Sequence, residues 1–123
     1  FRDAKTSRSA TVEWWGTGAP LREFLHSDDF AKAALFTLLN VKEHSYINIG
    51  SGEELSIAEL GQVVKSVVDY HGEIIWDTSK PNGTPRKMLD SNKIRSLGWK
   101  PEISLESGIR STYEWYLKNK SGD

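Results

Sequence analysis

Apolar residues follow two periods along this chain, one typical of strands and one typical of helices. Alternating, β-branched or aromatic residues predict three short strands, and the helical period predicts four helices. The strands span residues 11–15, 46–49 and 73–77, and the helices begin near residues 28, 57, 91 and 105. The pattern therefore predicts a small α/β fold with short strands and about four helices.

Turn-forming residues separate these elements. Two glycines and a proline follow the first strand at 16–20, and they predict a tight, exposed turn. The segment 79–90 contains two prolines and a glycine and predicts a loop, which Pro85 stiffens by favouring an extended residue before it. The polar ends, 2–9 and 118–123, are expected to be frayed or cut from something larger.

Polar residues at the predicted helix starts suit capping. Ser27 or Asp28 is expected to cap the first helix, where Asp28 and Asp29 also meet the positive end of the helix dipole. We interpret these two carboxylates as capping groups rather than as a metal or catalytic pair. Ser56 and Glu59 have the spacing of a capping box. The other expected boundaries are Gly72 and Gly98 as stops, Asp90 or Ser91 as a start, and Ser104 as a start.

Composition excludes several classes of function. The 123 residues, of which 37% are hydrophobic and 27% charged, are typical of one globular domain. The absence of cysteine excludes disulfides, thiolate catalysis and cysteine zinc sites, and it fits the cytoplasm. No stretch approaches the roughly 18 apolar residues of a membrane span. The three histidines share no metal-ligand spacing, so we predict no metal site.

Charge is distributed unevenly along the chain. The net charge is −1, which argues against nucleic acid or an anionic membrane as a partner. Residues 26–76 contain three Lys or Arg against eight Asp or Glu, whereas residues 77–100 contain six against two. A local basic segment on a slightly acidic chain indicates a small anion rather than a polyanion.

The candidate ligand residues are basic and aromatic. Trp15 and Arg22 flank the predicted turn, and they suit an anion that carries a flat ring. Lys80, Arg86 and Lys87 lie in the loop and could contact phosphate oxygens. The residues alone leave open whether this loop binds an anion or is only solvated, and they favour the second alternative.

Two further motifs are better explained by chance. The run Gly50-Ser51-Gly52 follows a predicted strand, but the third glycine of a dinucleotide fingerprint is missing and two glutamates follow. Tyr116 and Lys120 have the Tyr-x-x-x-Lys spacing of short-chain dehydrogenases, but they lie at a chain end with no nucleotide-binding half before them. We therefore predict neither a cofactor site nor a catalytic residue in this chain.

Four stretches carry a resemblance to a known family, and the likeness covers nearly the whole chain, from about Phe1 to Asn119. They resemble the C-terminal, substrate-binding part of the GDP-L-fucose synthases, in the extended short-chain dehydrogenase/reductase family. The second and fourth recur across many nucleotide-sugar epimerases and dehydratases, whereas the first and third are more particular. The stretches are residues 15–26 (WGTGAPLREFLH), 48–52 (NIGSG), 77–87 (DTSKPNGTPRK) and 97–101 (LGWKP).

The resemblance implies a parent enzyme that converts GDP-4-keto-6-deoxy-D-mannose to GDP-L-fucose. That enzyme epimerises C3 and C5 and then reduces the C4 ketone with NADPH. Its NADP-binding domain and catalytic residues would precede this chain, which would then be one domain, residues 1–123, lacking the Rossmann half. We expect such a chain to be inactive alone, to bind a GDP-sugar but neither nucleic acid nor membrane, and to come from a cytoplasmic homodimer.

The resemblance also implies roles for individual residues. Trp15 and Arg22 match positions that contact the GDP-sugar, and the loop with Lys80, Arg86 and Lys87 matches the loop over the diphosphate. Asp77 either orders that loop or contacts the ligand. The alternatives are the substrate domain of another nucleotide-sugar epimerase or dehydratase, a phosphate- or RNA-binding module without enzymatic function, and a purely structural interaction domain.

Overall fold

The computed structural model describes residues 1–42 and 46–119. This part of the chain contains five helices and five short strands, which confirms the predicted α/β class. In chain order they are α1 (Arg2–Ser7), β1 (Thr11–Trp15), β2 (Leu21–Glu23), α2 (Ser27–Asn40), β3 (Glu54–Ser56), α3 (Ile57–Val68), β4 (Glu73–Asp77), β5 (Arg86–Lys87), α4 (Asn92–Ser96) and α5 (Leu105–Asn119).

The strands form two small sheets. β1 and β4 pair in parallel, with Thr11 opposite Glu73 and Trp15 opposite Asp77. In the second sheet β2 is central, antiparallel to β3 and parallel to β5. The predicted loop 79–90 therefore contains a short strand, β5, which the prolines on its N-terminal side did not reveal. Both sheets end beside the turn at residues 16–20, because that turn connects β1 to β2.

Helix α3 packs closely on the two-stranded sheet. A Cβ on Gly61 of α3 would lie 3.0 Å from Ile74 and 3.1 Å from Trp14, so the glycine allows the helix to approach both strands. The capping box at the start of α3 is confirmed, since Glu59 N donates to Ser56 Oγ and Ser56 N donates to Glu59. The capping box and the close packing at Gly61 thus fix the position of α3 against the two-stranded sheet.

The hydrophobic core lies between α2, α4 and the segments that flank them. Ala33 and Ile94 are fully buried, and Trp99 packs with them. Ile47 and Ile49 also pack against this cluster. The predicted strand at 46–49 is wrong, because these residues pair with no strand of the described chain. The side chains of Ile47 and Ile49 pack against the core, but no strand of the described chain lies beside their backbone.

The N-terminal end is ordered, which corrects the prediction of a frayed start. Residues 2–7 form α1, and the Phe1 ring lies 5.4 Å from Trp14 and 5.5 Å from Tyr70. Lys5 Nζ donates to the Val68 carbonyl at 2.9 Å. The ring contacts of Phe1 and the hydrogen bond of Lys5 hold α1 in place, and the hydropathy pattern predicts neither. At the other end α5 continues to Asn119, and the rest of the predicted frayed end, 120–123, lies outside the described residues.

Two helix boundaries also differ from those expected. His26, not Ser27 or Asp28, caps α2, because its Nδ1 accepts a hydrogen bond from Asp28 N at 3.2 Å. Helix α3 ends before Asp69, whose φ of 57° is left-handed, rather than at Gly72. The other expected starts agree with the structure: Ser91 precedes α4, and Ser104 Oγ accepts from Ser107 N at the start of α5.

Asp29 has a structural role that the capping interpretation missed. Its side chain is 1% exposed, and its Oδ2 accepts hydrogen bonds from Glu102 N at 3.0 Å and Ile103 N at 2.8 Å. The carboxylate therefore joins the start of α2 to the segment that leads into α5. Across residues 1–42 and 46–119, no helix combines the length and the apolar character needed to cross a membrane.

Candidate functional site

The turn after β1 is held on both of its sides. Gly16 N donates to the Asp77 carbonyl at 2.9 Å, which extends the β1–β4 ladder by one step. The Gly18 carbonyl accepts from Ala58 N at 2.9 Å, at the start of α3. Gly18 has a φ of 75°, and a Cβ there would lie 2.7 Å from the Trp76 ring, so only glycine fits. The turn is therefore a rigid platform directly after Trp15.

The loop after β4 is attached to this turn. Asp77 Oδ1 accepts from Ser79 N at 3.0 Å and from the Ser79 hydroxyl, which bends the chain away from β4. Asn82 Oδ1 accepts from Thr17 N at 2.7 Å and from the Thr17 hydroxyl at 3.1 Å. Asp77 therefore contacts the beginning of the loop, and its two predicted roles, ordering the loop and contacting the ligand, both stay predictions.

Lys80 and Trp15 meet where the turn and the loop come together. Trp15 is 72% exposed, so its ring presents a flat surface to solvent. Lys80 Nζ lies 5.8 Å from the centre of that ring, within the range of a cation–π contact. The contact places a cation beside an exposed aromatic surface, which is the combination expected for an anion that carries a flat ring.

The second sheet places Arg22 beside Lys87. The two residues are Cα partners in the parallel β2–β5 pair, so their side chains leave the same face of the sheet. Arg22 is half-buried, and its Nη1 donates to the Leu21 carbonyl at 2.6 Å. Two cations on one face give a locally positive surface at the end of the same turn.

Arg86 points to the opposite face from Lys87. It is the partner of Leu21 in β2, and its Nε contacts both carboxylate oxygens of Glu54, at 2.7 and 3.1 Å. The hydrogen bond and charge of Glu54 raise the pKa of the Arg86 guanidinium above its ordinary value. The three cations predicted as one basic loop are therefore divided: Lys80 lies with Trp15, Lys87 with Arg22, and Arg86 with Glu54.

Glu23 joins the glycine segment to the chain after β5. Its Oε1 accepts from Gly52 N at 2.6 Å, and its Oε2 accepts from Leu89 N at 3.1 Å. A Cβ on Gly50 would lie 2.5 Å from the same carboxylate. The segment 50–52 is thus filled by a carboxylate, which repels phosphate, and it does not fit the pyrophosphate of a dinucleotide.

Two cavities of about 450 Å³ lie elsewhere on the molecule. The first is an apolar groove between α3 and α5, lined among others by Leu60, Val64, Ile109 and Tyr113. The second is polar and contains Arg86, near Arg95 and Gly52. The remaining predicted residues line neither cavity, so the Trp15 region is an open surface. In the described part of the chain, no cluster of three or more His, Asp or Glu could hold a metal ion.

Sequence reasoning missed three residues that shape this surface: Asn82, Glu54 and Glu23. Asparagine before glycine is a common turn pair, which indicated a turn at 82–83 but not its partner in the first turn. Nothing local to Glu54 or Glu23 reveals that each meets a residue more than 25 positions away. Such partners follow from strand pairing.

The chain shares sequence with known enzymes over almost all of its length. Residues 1–50 match the NAD dependent epimerase/dehydratase family. GDP-L-fucose synthase 1 of Arabidopsis thaliana is 52% identical over 119 residues, which are 97% of this chain and 37% of that protein. The chain thus spans a little over a third of the length of the curated relatives it matches.

Solved structures agree with the sequence comparison. A GDP-L-fucose synthetase from Naegleria fowleri, bound to NADP, has a TM-score of 0.89 at 29% identity and covers 98% of this chain, matching 38% of its own. A GDP-6-OMe-4-keto-L-xylo-heptose reductase from C. jejuni has a TM-score of 0.82 at 42% identity, over 89% of this chain and 34% of its own. The resemblance found in the four sequence stretches is confirmed: the chain is similar to curated proteins named GDP-L-fucose synthase and, over residues 1–50, to the NAD dependent epimerase/dehydratase family.

Proposed function

We propose that this chain is the substrate-binding part of a GDP-L-fucose synthase. The whole enzyme would convert GDP-4-keto-6-deoxy-D-mannose to GDP-L-fucose by epimerisation at C3 and C5 and NADPH-dependent reduction at C4. The observation that carries the proposal is the contact between Lys80 and the exposed Trp15 ring, on a turn and a loop that hydrogen bonds hold together. Relatives that bear the GDP-L-fucose synthase name support the choice of reaction.

The geometry suggests how a GDP-sugar would bind. The Trp15 ring offers a flat face to a base or sugar, and Lys80 beside it supplies a point charge to a phosphate oxygen. Arg22 and Lys87 add a second positive face at the other end of the turn. Arg86 Nε is engaged by Glu54, so we assign Arg86 a phosphate contact through its Nη groups or one that replaces that ion pair.

We assign NADP and the catalytic residues to a domain that precedes this chain in the whole enzyme. The segment 50–52 does not fit a dinucleotide, as Glu23 occupies it. An apolar surface supports a missing neighbour, since Leu35, Leu38 and Leu39 on α2 are 58%, 78% and 71% exposed. Patches of this kind mark interaction surfaces. The nucleotide-binding domain would cover this helix face and pair with the unpaired segment 46–49.

An NMR titration of the 123-residue chain with GDP, with UDP as the control, tests the binding proposal. We expect GDP to shift the Trp15 indole resonance and the amides of Arg22 and residues 80–87, with a much weaker response to UDP. No shift at millimolar GDP, or an equal response to both nucleotides, would refute a preformed GDP surface. NADPH oxidation with the keto-sugar substrate should be absent for this chain alone, and turnover would refute the two-domain assignment.

A second candidate is the substrate domain of a different GDP-sugar reductase. The 42% identity to the C. jejuni heptose reductase favours it, because that identity is not far below that of the fucose synthases. Comparing GDP-L-fucose with GDP alone distinguishes them: a fucose synthase domain should bind the sugar nucleotide more tightly than GDP. A steep salt dependence without base preference would instead indicate a phosphate- or RNA-binding module.

A further inference from the structure

The loop at residues 78–90 is exposed along its whole length, yet the Asn82 side chain attaches its middle to the turn at residues 16–20. Asp77 holds the beginning of the loop, and the Pro85 carbonyl holds its end by accepting from Leu21 N at 2.9 Å. Between them, Asn82 Oδ1 accepts two hydrogen bonds from Thr17. The position of Lys80, which lies between Asp77 and Asn82, is therefore set from both sides.

The first turn is shaped to receive the Asn82 side chain. Gly16 has a φ of 84°, and a Cβ there would lie 2.5 Å from Asn82 Oδ1. Only glycine leaves this space while it adopts the left-handed backbone. The Thr17 hydroxyl also accepts a hydrogen bond from Ala19 N at 3.3 Å, so it links Asn82 to the rest of the turn. The left-handed backbone of Gly16, its lack of a side chain and the Thr17 hydroxyl together accommodate the amide oxygen of Asn82.

We propose that Asn82 is the positioning residue of this site, which holds Lys80 against the Trp15 ring in the absence of ligand. The inference rests on the proposed function for its purpose, but its geometry does not depend on a ligand. Asn82 acts through Thr17 and Lys80. A loop already ordered loses less conformational entropy when the ligand binds, so the tie raises affinity.

The ring current of Trp15 reports the proposed role directly in the ligand-free chain. Lys80 side-chain protons near the ring should resonate upfield of their usual positions, and Asn82→Ala should return them toward those positions. The Thr17 amide should exchange faster with solvent in the same variant. Asn82→Asp keeps a side-chain oxygen that accepts from Thr17, so it should restore slow exchange of that amide.

GDP titration measures the consequence for binding. Asn82→Ala should weaken GDP binding roughly tenfold, which corresponds to about 1.4 kcal/mol. Asn92→Ala is the matched control, because it removes the same exposed side chain from α4, outside both loops. It should leave the affinity and the Lys80 resonances unchanged. Melting temperatures of both variants should stay close to that of the original chain, since the loop is exposed.

The possible outcomes separate this inference from the proposed function. If the Lys80 resonances and Thr17 exchange do not change in Asn82→Ala, the positioning role is refuted. The same holds if the Asn92→Ala control loses as much affinity, or if Asn82→Ala unfolds the chain. If the original chain fails to bind GDP while the Lys80 and Thr17 changes occur, the proposed GDP surface fails and the positioning role stands.

Discussion

Replacement of Trp15 by alanine separates binding from folding. The ring is 72% exposed, so its removal forfeits little buried area, and with the exposed Lys80 contact the stability should fall by at most about 1 kcal/mol. Stacking of a base on an aromatic side chain is worth about 1–3 kcal/mol, which corresponds to roughly 5- to 150-fold in affinity. Trp15→Ala also removes the surface against which Lys80 rests, a contact worth about 0.5–1 kcal/mol at exposed sites. We therefore expect GDP affinity to fall at least fivefold with an almost unchanged melting temperature.

The assay is a GDP titration followed by NMR, with thermal unfolding measured on the same samples. Trp115→Ala is the control, because Trp115 is a second exposed tryptophan, 64% exposed, on α5. Trp15→Phe keeps a smaller ring and should lose less affinity than Trp15→Ala. GDP affinity within twofold of the original chain for Trp15→Ala would refute the stacking argument. So would an equal loss in Trp115→Ala, since that result would show a general effect of removing surface aromatic groups.

Three further expectations concern the scaffold of the site. Asp29→Ala should lower the free energy of unfolding in urea by about 2–4 kcal/mol, because two backbone N–H groups lose a buried carboxylate, and a loss below about 1 kcal/mol would contradict this account. Hydrogen bonds from the backbone and hydroxyl of Ser56 lower the pKa of Glu59 below its ordinary value of 4.5. A lowered pKa in the folded state stabilises the chain above the unfolded value, and that stability is lost as pH falls through the folded pKa. Ser56→Ala keeps the backbone donor and removes the hydroxyl, so it should raise the pKa of Glu59 only part of the way in an NMR pH titration, and an unchanged value would show that the hydroxyl does not contribute. Gly18→Ala should destabilise the chain more than Gly83→Ala in thermal unfolding, because both have a φ above 70° but only the first meets close neighbours; equal effects would place the cost in the backbone alone.

Local elements that depend on neighbours within one turn or one strand follow from the order of residues alone. The Ser56–Glu59 capping box, β1, β4 and the four main helix starts all follow from spacing over a few residues. The four quoted stretches likewise carry the resemblance to the GDP-L-fucose synthases. These features need only local geometry, which the order of residues carries.

Features that depend on distant partners required the tertiary structure. Residues 46–49 have the alternation of a strand but no partner strand in the described chain, whereas Arg86–Lys87 carry no such pattern and pair with β2. The polar N-terminal end forms α1 because Phe1 and Lys5 contact residues more than ten positions away. Neither hydrophobic periodicity nor secondary-structure propensity predicts these contacts.

The candidate site shows the same division. The sequence identified which residue types suit an anion with a flat ring, but not which of them lie together. Strand alternation places Arg86 and Lys87 on opposite faces, and Glu54, 32 residues away, then engages Arg86. Asn82 reaches Thr17 across 65 residues and thereby sets Lys80 beside Trp15. The sequence specifies the chemistry of each candidate residue. Which of these residues lie together depends on strand register and loop contacts, and these form only when the chain folds.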